Sequence, residues 1–103
     1  MQQATNKELD LHTHDLKKAA LVLRAVNHKL RQSFLRLIHT SGAITVTELY
    51  EKLKLEQSVA SQHLAILRRA GFVLTERKGK FIYYKVNYKA FTDLDSFVKK
   101  ILN

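Results

Sequence analysis

Cysteine is missing from this chain, and with it disulfide staples, zinc–thiolate centres and thiol nucleophiles. Proline is missing too, so no element is broken by a residue that cannot donate a backbone hydrogen bond. Glycine is scarce: Gly42, Gly71 and Gly79 each fall between periodic segments, where a turn belongs. The longest apolar run, Ala19 to Leu23, is far short of the ~20 residues that span a bilayer. Lys7, Lys17 and Lys18 precede no apolar stretch with a small-residue cleavage site, so no signal peptide is read and the cytoplasm is the expected address. Acids are the last shortage: 9 Asp and Glu against 18 Lys and Arg leave a formal net charge of +9.

With 103 residues, one domain is expected. Residues 1–12 are polar and expected to be a flexible segment, leaving 13–103 as the folded unit. A domain this basic needs an acidic partner or tolerates self-repulsion, and the commonest acidic partner is nucleic acid. The charge is also concentrated. Arg68, Arg69, Arg77, Lys78, Lys80, Lys85 and Lys89 face a single acid in that stretch, Glu76. A solvated basic surface is the plain alternative.

Periodicity predicts four helices, a hairpin and a last helix. Thr13 is placed to cap the first, with Leu16, Ala19, Ala20, Leu23 and Val26 at helical spacing. Asn27 is placed to cap the second, whose stripe is Leu30, Phe34, Leu37 and Ile38 and whose end is Ser41-Gly42. Thr45 or Thr47 starts a short third helix carrying Leu49 and Leu53, and Lys54-Leu55-Glu56 separates it from a fourth, about Gln57 to Ala70. The period then changes. Phe72 to Arg77 and Phe81 to Val86 are rich in aromatic and β-branched residues and flank Lys78-Gly79-Lys80, which reads as a hairpin. Ile82, Tyr84 and Val86 are expected to face the core and Phe81, Tyr83 and Lys85 to face out. Asn87 is placed to cap a terminal helix with Tyr88, Phe91, Leu94, Val98 and Ile101 on one side.

Two helices joined by a few residues and followed by a basic hairpin describe a winged helix-turn-helix, mainly α with a small β-hairpin. The fourth helix is then the reader. At 100° per residue Ala60, Leu64 and Leu67 cluster as the buried side, while Ser58, Gln62, Ala65 and Arg69 fall opposite, with Ser61 beside them. That outer face is small, polar and basic, with no acid on it. A major groove about 12 Å wide admits such a helix, because its outer side chains are short or can hydrogen-bond base edges and phosphates. Gln57, Ser58, Ser61 and Gln62 occupy the first turns, the part that enters the groove. Arg77, Lys78 and Lys80 sit at the hairpin tip, placed to grip phosphate; lysines there also serve solubility alone.

The stretch from Leu23 to Val86 resembles the ArsR-type winged-helix repressors, small dimeric regulators best known as metal sensors. The resemblance rests on Leu55-Glu56-Gln57-Ser58-Val59-Ala60-Ser61-Gln62-His63-Leu64-Ala65-Ile66-Leu67-Arg68-Arg69-Ala70-Gly71-Phe72-Val73, which follows the family's recognition-helix pattern. Arg77-Lys78-Gly79-Lys80 and Tyr84 match its wing. Arg31 matches the arginine of the family's Asp-Pro-Thr-Arg signature, but His28, Lys29 and Leu30 replace the three residues before it. The resemblance implies a homodimer formed by the first and last helices, bound to operator DNA with an imperfect palindrome. The residues named for that interface are Leu16, Ala20, Leu23, Phe91, Leu94, Val98 and Ile101. Ala19 to Leu23 is apolar all round, and Phe97 and Leu102 widen the last stripe, more surface than one small core covers.

The family's metal sites have no counterpart. Thr45 and Thr47 stand where many members carry a Cys-x-Cys pair, and hydroxyls are poor ligands for soft metals. Tyr88 and Ala90 occupy the Asp-x-His positions of a second family site, and Ile101 replaces a later histidine. Five histidines remain: His12, His14, His28, His39 and His63. His12-Thr13-His14-Asp15 offers two imidazoles without a cage, and His28 and His39 lie about three turns apart on their helix. His63 is expected to pack or cap locally. No metal or other cofactor is expected, and no carboxylate pair, phosphate loop or nucleophile–base motif points to an enzyme. The competing reading is a winged-helix module for protein assembly or RNA. The acid-free face of the fourth helix argues against assembly, whereas Phe81 and Tyr83 keep an RNA stacking platform open.

Overall fold

The computed structural model describes Leu9 and residues 11–103. Apart from Leu9, Leu11 and His12, the segment 1–12 expected to be flexible lies outside the described residues. In chain order the elements are α1 (Thr13–Val26), α2 (Lys29–Ser41), β1 (Ile44–Thr45), α3 (Val46–Leu53), α4 (Gln57–Arg69), β2 (Val73–Lys78), β3 (Phe81–Val86) and α5 (Tyr88–Leu102).

The core forms where helical periodicity brings apolar side chains to one side. Phe34, Leu35 and Ile38 of α2, Leu49 of α3 and Ala60, Leu64 and Leu67 of α4 are buried together with Ile44, Phe72 and Val73. Each large aliphatic or aromatic side chain removed from water contributes roughly 1.5–3 kcal/mol, so this trihelical cluster dominates the fold's stability. α1 adds only Ala25 as a buried residue, and α5 adds none. The radius of gyration is 17.4 Å, against about 13 Å for a compact chain of this length.

Thr45 decides where α3 begins. Its hydroxyl accepts from the Glu48 N–H at 3.2 Å, and a Glu48 carboxylate oxygen accepts from the Thr45 N–H at 3.2 Å. This reciprocal capping box selects Thr45 over Thr47 as the start. The other caps depart from expectation. α1 begins with Thr13 already helical, and its hydroxyl donates backwards to the Leu11 carbonyl. α2 is capped by His28, whose Nδ1 accepts from the N–H groups of Leu30 and Arg31, while Asn27 closes α1. Asn87 precedes α5 but does not cap it through its side chain; Nδ2 donates to the Gly71 carbonyl at 2.8 Å, tying the hairpin base to the end of α4.

The hairpin belongs to a three-stranded antiparallel sheet of order β1-β3-β2. β1 was not foreseen: Ile44 and Thr45 pair with Tyr84 and Tyr83. Lys78 is the last residue of β2 and pairs with Phe81, so the turn is Gly79-Lys80 rather than the three residues expected. Gly79 has φ +61° and Lys80 is not in the positive region, the pattern of a II′ turn, which needs glycine first. Tyr84 and Val86 are half-buried against the core, but Ile82 is 48% exposed. The hairpin outruns the core, so its inward-facing residue near the tip meets solvent.

Candidate nucleic-acid interface

The α3–α4 corner is built on backbone strain at one residue. Lys54 takes a left-handed conformation, φ 56° and ψ 50°, which lets the Leu55 N–H reach the Tyr50 carbonyl at 2.9 Å and turns the chain into α4. α4 is held from behind by its buried stripe and by Arg31. That arginine is 6% exposed, the one buried charged side chain among the described residues. Its Nε donates to the Ala25 carbonyl at 2.7 Å, Nη2 to the Arg24 carbonyl at 3.0 Å, and Nη1 bonds His63 Nδ1 at 3.1 Å. His63 packs against Phe34 and His28, with ring centroids 5.7 and 5.1 Å away. Burial, then the charge of Arg31, then that of His28, hold its pKa below the ordinary 6.5.

With its back so held, α4 turns Gln57, Ser58, Ser61, Gln62 and Arg69 to solvent, all exposed. Ala65, expected on the outer face, is half-buried. It forms the floor of a groove of about 400 Å³ whose other walls are Ser61, Arg68, Arg69 and Tyr84. Arg68 and Tyr84 extend the surface past the residues picked from the helical wheel. Tyr84 lies on β3, so α4 and the hairpin share one groove.

The three wing cations are not equivalent. Along β2, Val73 and Thr75 turn towards the core and Arg77 continues that face; Arg77 pairs with Ile82, and Thr75 pairs with Tyr84. Lys78 lies on the opposite face with Glu76, Tyr83 and Lys85. There it sits 4.0 Å from the Glu76 carboxylate and 5.8 Å from the Tyr83 ring. Lys85 approaches the same carboxylate at 3.4 Å. All three are well exposed, so these ion pairs contribute little to stability, but they place the only acid of the wing beside Lys78. Arg77 Nε donates to the Gly79 carbonyl at 3.1 Å, and Lys80 lies over the Phe81 ring at 5.4 Å.

Away from this surface, α1 and α5 flank an apolar groove of about 380 Å³ lined by Ala19, Val22, Leu23, Phe72, Leu94 and Phe97, among others. Leu23, Phe91, Leu94 and Val98 are half-buried, the Phe91 ring packing at a 49° tilt on Phe72 with centroids 4.9 Å apart. Leu16, Ala20 and Ile101 are exposed.

A family of helix-turn-helix domains matches residues 27–76. The uncharacterized HTH-type transcriptional regulator YbzH of Bacillus subtilis is 46% identical over 56 residues, 54% of this chain and 56% of that protein. The arsenic resistance transcriptional regulator ArsR2 of Pseudomonas putida is 33% identical over 79% of this chain and 67% of its own. The transcriptional repressor PagR of Bacillus anthracis is 37% identical over 70% of this chain and 72% of its own. The crystal structure of PagR superposes with a TM-score of 0.64 over 89% of this chain and all of that chain, at 30% identity. The chain belongs to the ArsR family of transcriptional regulators. It is a winged helix-turn-helix, DNA-binding regulator.

In this ArsR-family protein two of the positions matched to the family's metal ligands serve local structure. Thr45 is committed to the cap of α3, and the Tyr88 hydroxyl bonds His39 Nδ1 at 2.7 Å. Among the described residues no group of three or more His, Cys, Asp or Glu side chains comes together. No helix among them is long and apolar enough to cross a membrane. The sequence reading missed the Arg31–His63 contact. Its signal was present: Arg31 stands three residues before Phe34 and seven before Ile38, on the apolar stripe of α2.

Proposed function

We infer that residues 13–103 act as one unit that binds double-stranded operator DNA as a cytoplasmic homodimer and represses transcription. α4 enters the major groove with Gln57, Ser58, Ser61 and Gln62 at the base edges, and Ala65 allows close approach. Arg69 and the wing residues Arg77, Lys78 and Lys80 hold phosphates. The apolar faces of α1 and α5, carrying Leu16, Ala20, Leu23, Phe91, Leu94, Val98 and Ile101, pair across a two-fold axis and set two half-sites of an imperfect palindrome about one helical turn apart. The observation that carries this reading is the exposed, acid-free face of α4, which shares a groove with Arg68, Arg69 and the wing.

Regulation does not pass through thiophilic metals, because hydroxyl and phenol side chains stand where their ligands would be. The test is a gel shift with duplex DNA from the promoter of its own gene, beside the separated strands and an RNA of the same sequence. Duplex is preferred, and affinity falls steeply between about 50 and 200 mM salt as several counterions are released. Preference for the single-stranded RNA, or binding indifferent to salt, would overturn the reading.

A further inference from the structure

We propose that Arg31 and His63 form a clamp that fixes the reading helix against the α1–α2 corner, and that protonation of His63 opens it and weakens DNA binding. The proposal rests on the DNA-binding role assigned to α4 and adds a positioning device with a proton as its signal.

The geometry sets the chemistry. A guanidinium is always a donor and never an acceptor. Two of the Arg31 contacts are to the carbonyls of Arg24 and Ala25, in the last turn of α1, where carbonyls lack helical partners and carry partial negative charge. Gln32 Nε2 adds a bond to the Val26 carbonyl at 2.8 Å. α2 thereby seals the end of α1 with two adjacent side chains. The remaining contact crosses to α4: because Nη1 can only donate, His63 Nδ1 must accept. The His63 proton therefore sits on Nε2, and the ring is neutral.

Protonating His63 places an N–H at Nδ1 against the N–H of Arg31. A hydrogen bond becomes a meeting of two donors and two positive charges, beside a buried guanidinium that cannot lose its own proton. The ionisable groups acting on His63 are Arg31 and His28, both from α2, and neither is negative. From α1 Arg31 takes two backbone carbonyls, and Lys18 and Arg24 of α1 and Arg69 of α4 line a cavity with Arg31 whose lining residues include no acid. The ring moves away from Arg31 or the helix shifts with it. His63 immediately follows Gln62 on α4, so a shift there displaces the base-reading edge.

The sign separates this effect from bulk electrostatics. Acidification makes a basic protein more positive overall, which strengthens phosphate binding. A clamp opened by protonation weakens it. The lowered pKa of His63 is consistent with the neutral form being the one the fold selects, and the stability it contributes is complete above about pH 6.5 and is lost as pH falls.

The experiment uses the full chain and a duplex selected from a random pool by the wild-type protein at about pH 7.5, with affinity then measured down to about pH 5.5, the range in which histidine titrates. Wild type is expected to weaken by about two- to fivefold, the upper value being roughly what one unit of pKa difference between free and bound protein gives at that pH. His63→Asn places an amide oxygen where Nδ1 was and does not titrate; it should keep neutral-pH affinity and lose the weakening. His28→Asn, which retains a capping side chain, should keep the weakening. A His63→Asn protein that follows the wild-type profile, or a His28→Asn protein that abolishes it, would overturn the clamp. Imidazole NMR of the free wild-type protein tests it without DNA: His63 should show the Nε2–H tautomer and titrate below 6.5. The Nδ1–H tautomer, or titration at or above that value, overturns the clamp whatever the DNA result. If no duplex is selected at any pH, the DNA reading of α4 fails, while the NMR result still decides whether the clamp exists.

Discussion

α4 and α5 are amphipathic helices of similar length, 13 and 15 residues, and they are unfinished in opposite ways. α4 completes its apolar side within the protomer, burying Ala60, Leu64 and Leu67, and leaves its cations without acids on the same helix. α5 balances all but one of its charges, pairing Lys89 with Asp93 and Lys99 with Asp95, each at 2.9 Å and four residues apart, and buries no residue at all. A helix with spare positive charge is complementary to a polyanion, and one with spare apolar surface to another apolar surface. One protomer therefore advertises two partners of different chemistry, and the proposed assembly satisfies both.

The largest expected effect comes from attacking the α1–α5 side. Leu16 and Ile101 are 58% and 63% exposed in the protomer, so Leu16→Glu with Ile101→Glu should leave the folded protomer intact. In a two-fold interface each charge appears twice against apolar surface. Light scattering should change from about 24 kDa, two copies of the 11.9 kDa chain, to a monomer. Loss of the second half-site should weaken operator binding by about 10²- to 10⁴-fold. A variant that stays dimeric would move the interface elsewhere.

Changes on α4 come next. Gln62→Ala and Ser61→Ala should each cost about 1–3 kcal/mol on the affected base pair and relax sequence preference there, with dimerisation and melting temperature near wild type. If both leave sequence preference untouched, the reading edge is not where we place it. The wing gives a smaller effect and a finer division. Arg77 is on the face shared with Tyr84, and Lys78 is on the far face beside Glu76. Arg77→Ala should therefore weaken specific and random DNA alike and flatten the salt slope by about one unit, whereas Lys78→Ala does less. Equal effects would show that both faces of the hairpin reach phosphate.

The same contrast explains what the sequence disclosed. α4 was legible because its faces differ sharply in residue type and Gly71 marks its end. The outward residues of α1 and α5 were legible as surplus apolar surface, since Leu16 and Ala20 lie off the face that α1 turns to the core and Ile101 ends the α5 stripe beyond the residues packed on it. β1 was not, because two residues carry no period. Alternation gave the face of Ile82 but not its depth, which depends on how far the hairpin projects. Choosing His28 over Asn27 as a cap turns on the backbone angles of neighbouring residues and runs against type preference, which favours asparagine. Arg31 was legible only as a match to the family signature and His63 only as a residue that packs or caps locally, because their 3.1 Å contact joins positions 32 residues apart.

The smallest expected effect tests the corner that joins the two kinds of surface. Lys54 is the one non-glycine residue with positive φ among the described residues, and it lies between α3 and the helix that reads. Its side chain crowds the backbone in that conformation, at roughly 1–2 kcal/mol relative to the right-handed region. Glycine relieves the crowding but gains freedom in the unfolded chain, which returns part of the difference. Lys54→Gly should thus stabilise the protein by about 0.5–1 kcal/mol in chemical denaturation, with an unchanged denaturant dependence. Operator affinity should fall slightly through the lost positive charge if Lys54 lies near the phosphates, and not at all otherwise. A destabilised Lys54→Gly protein would mean that the lysine side chain contributes more to the corner than its strained backbone costs.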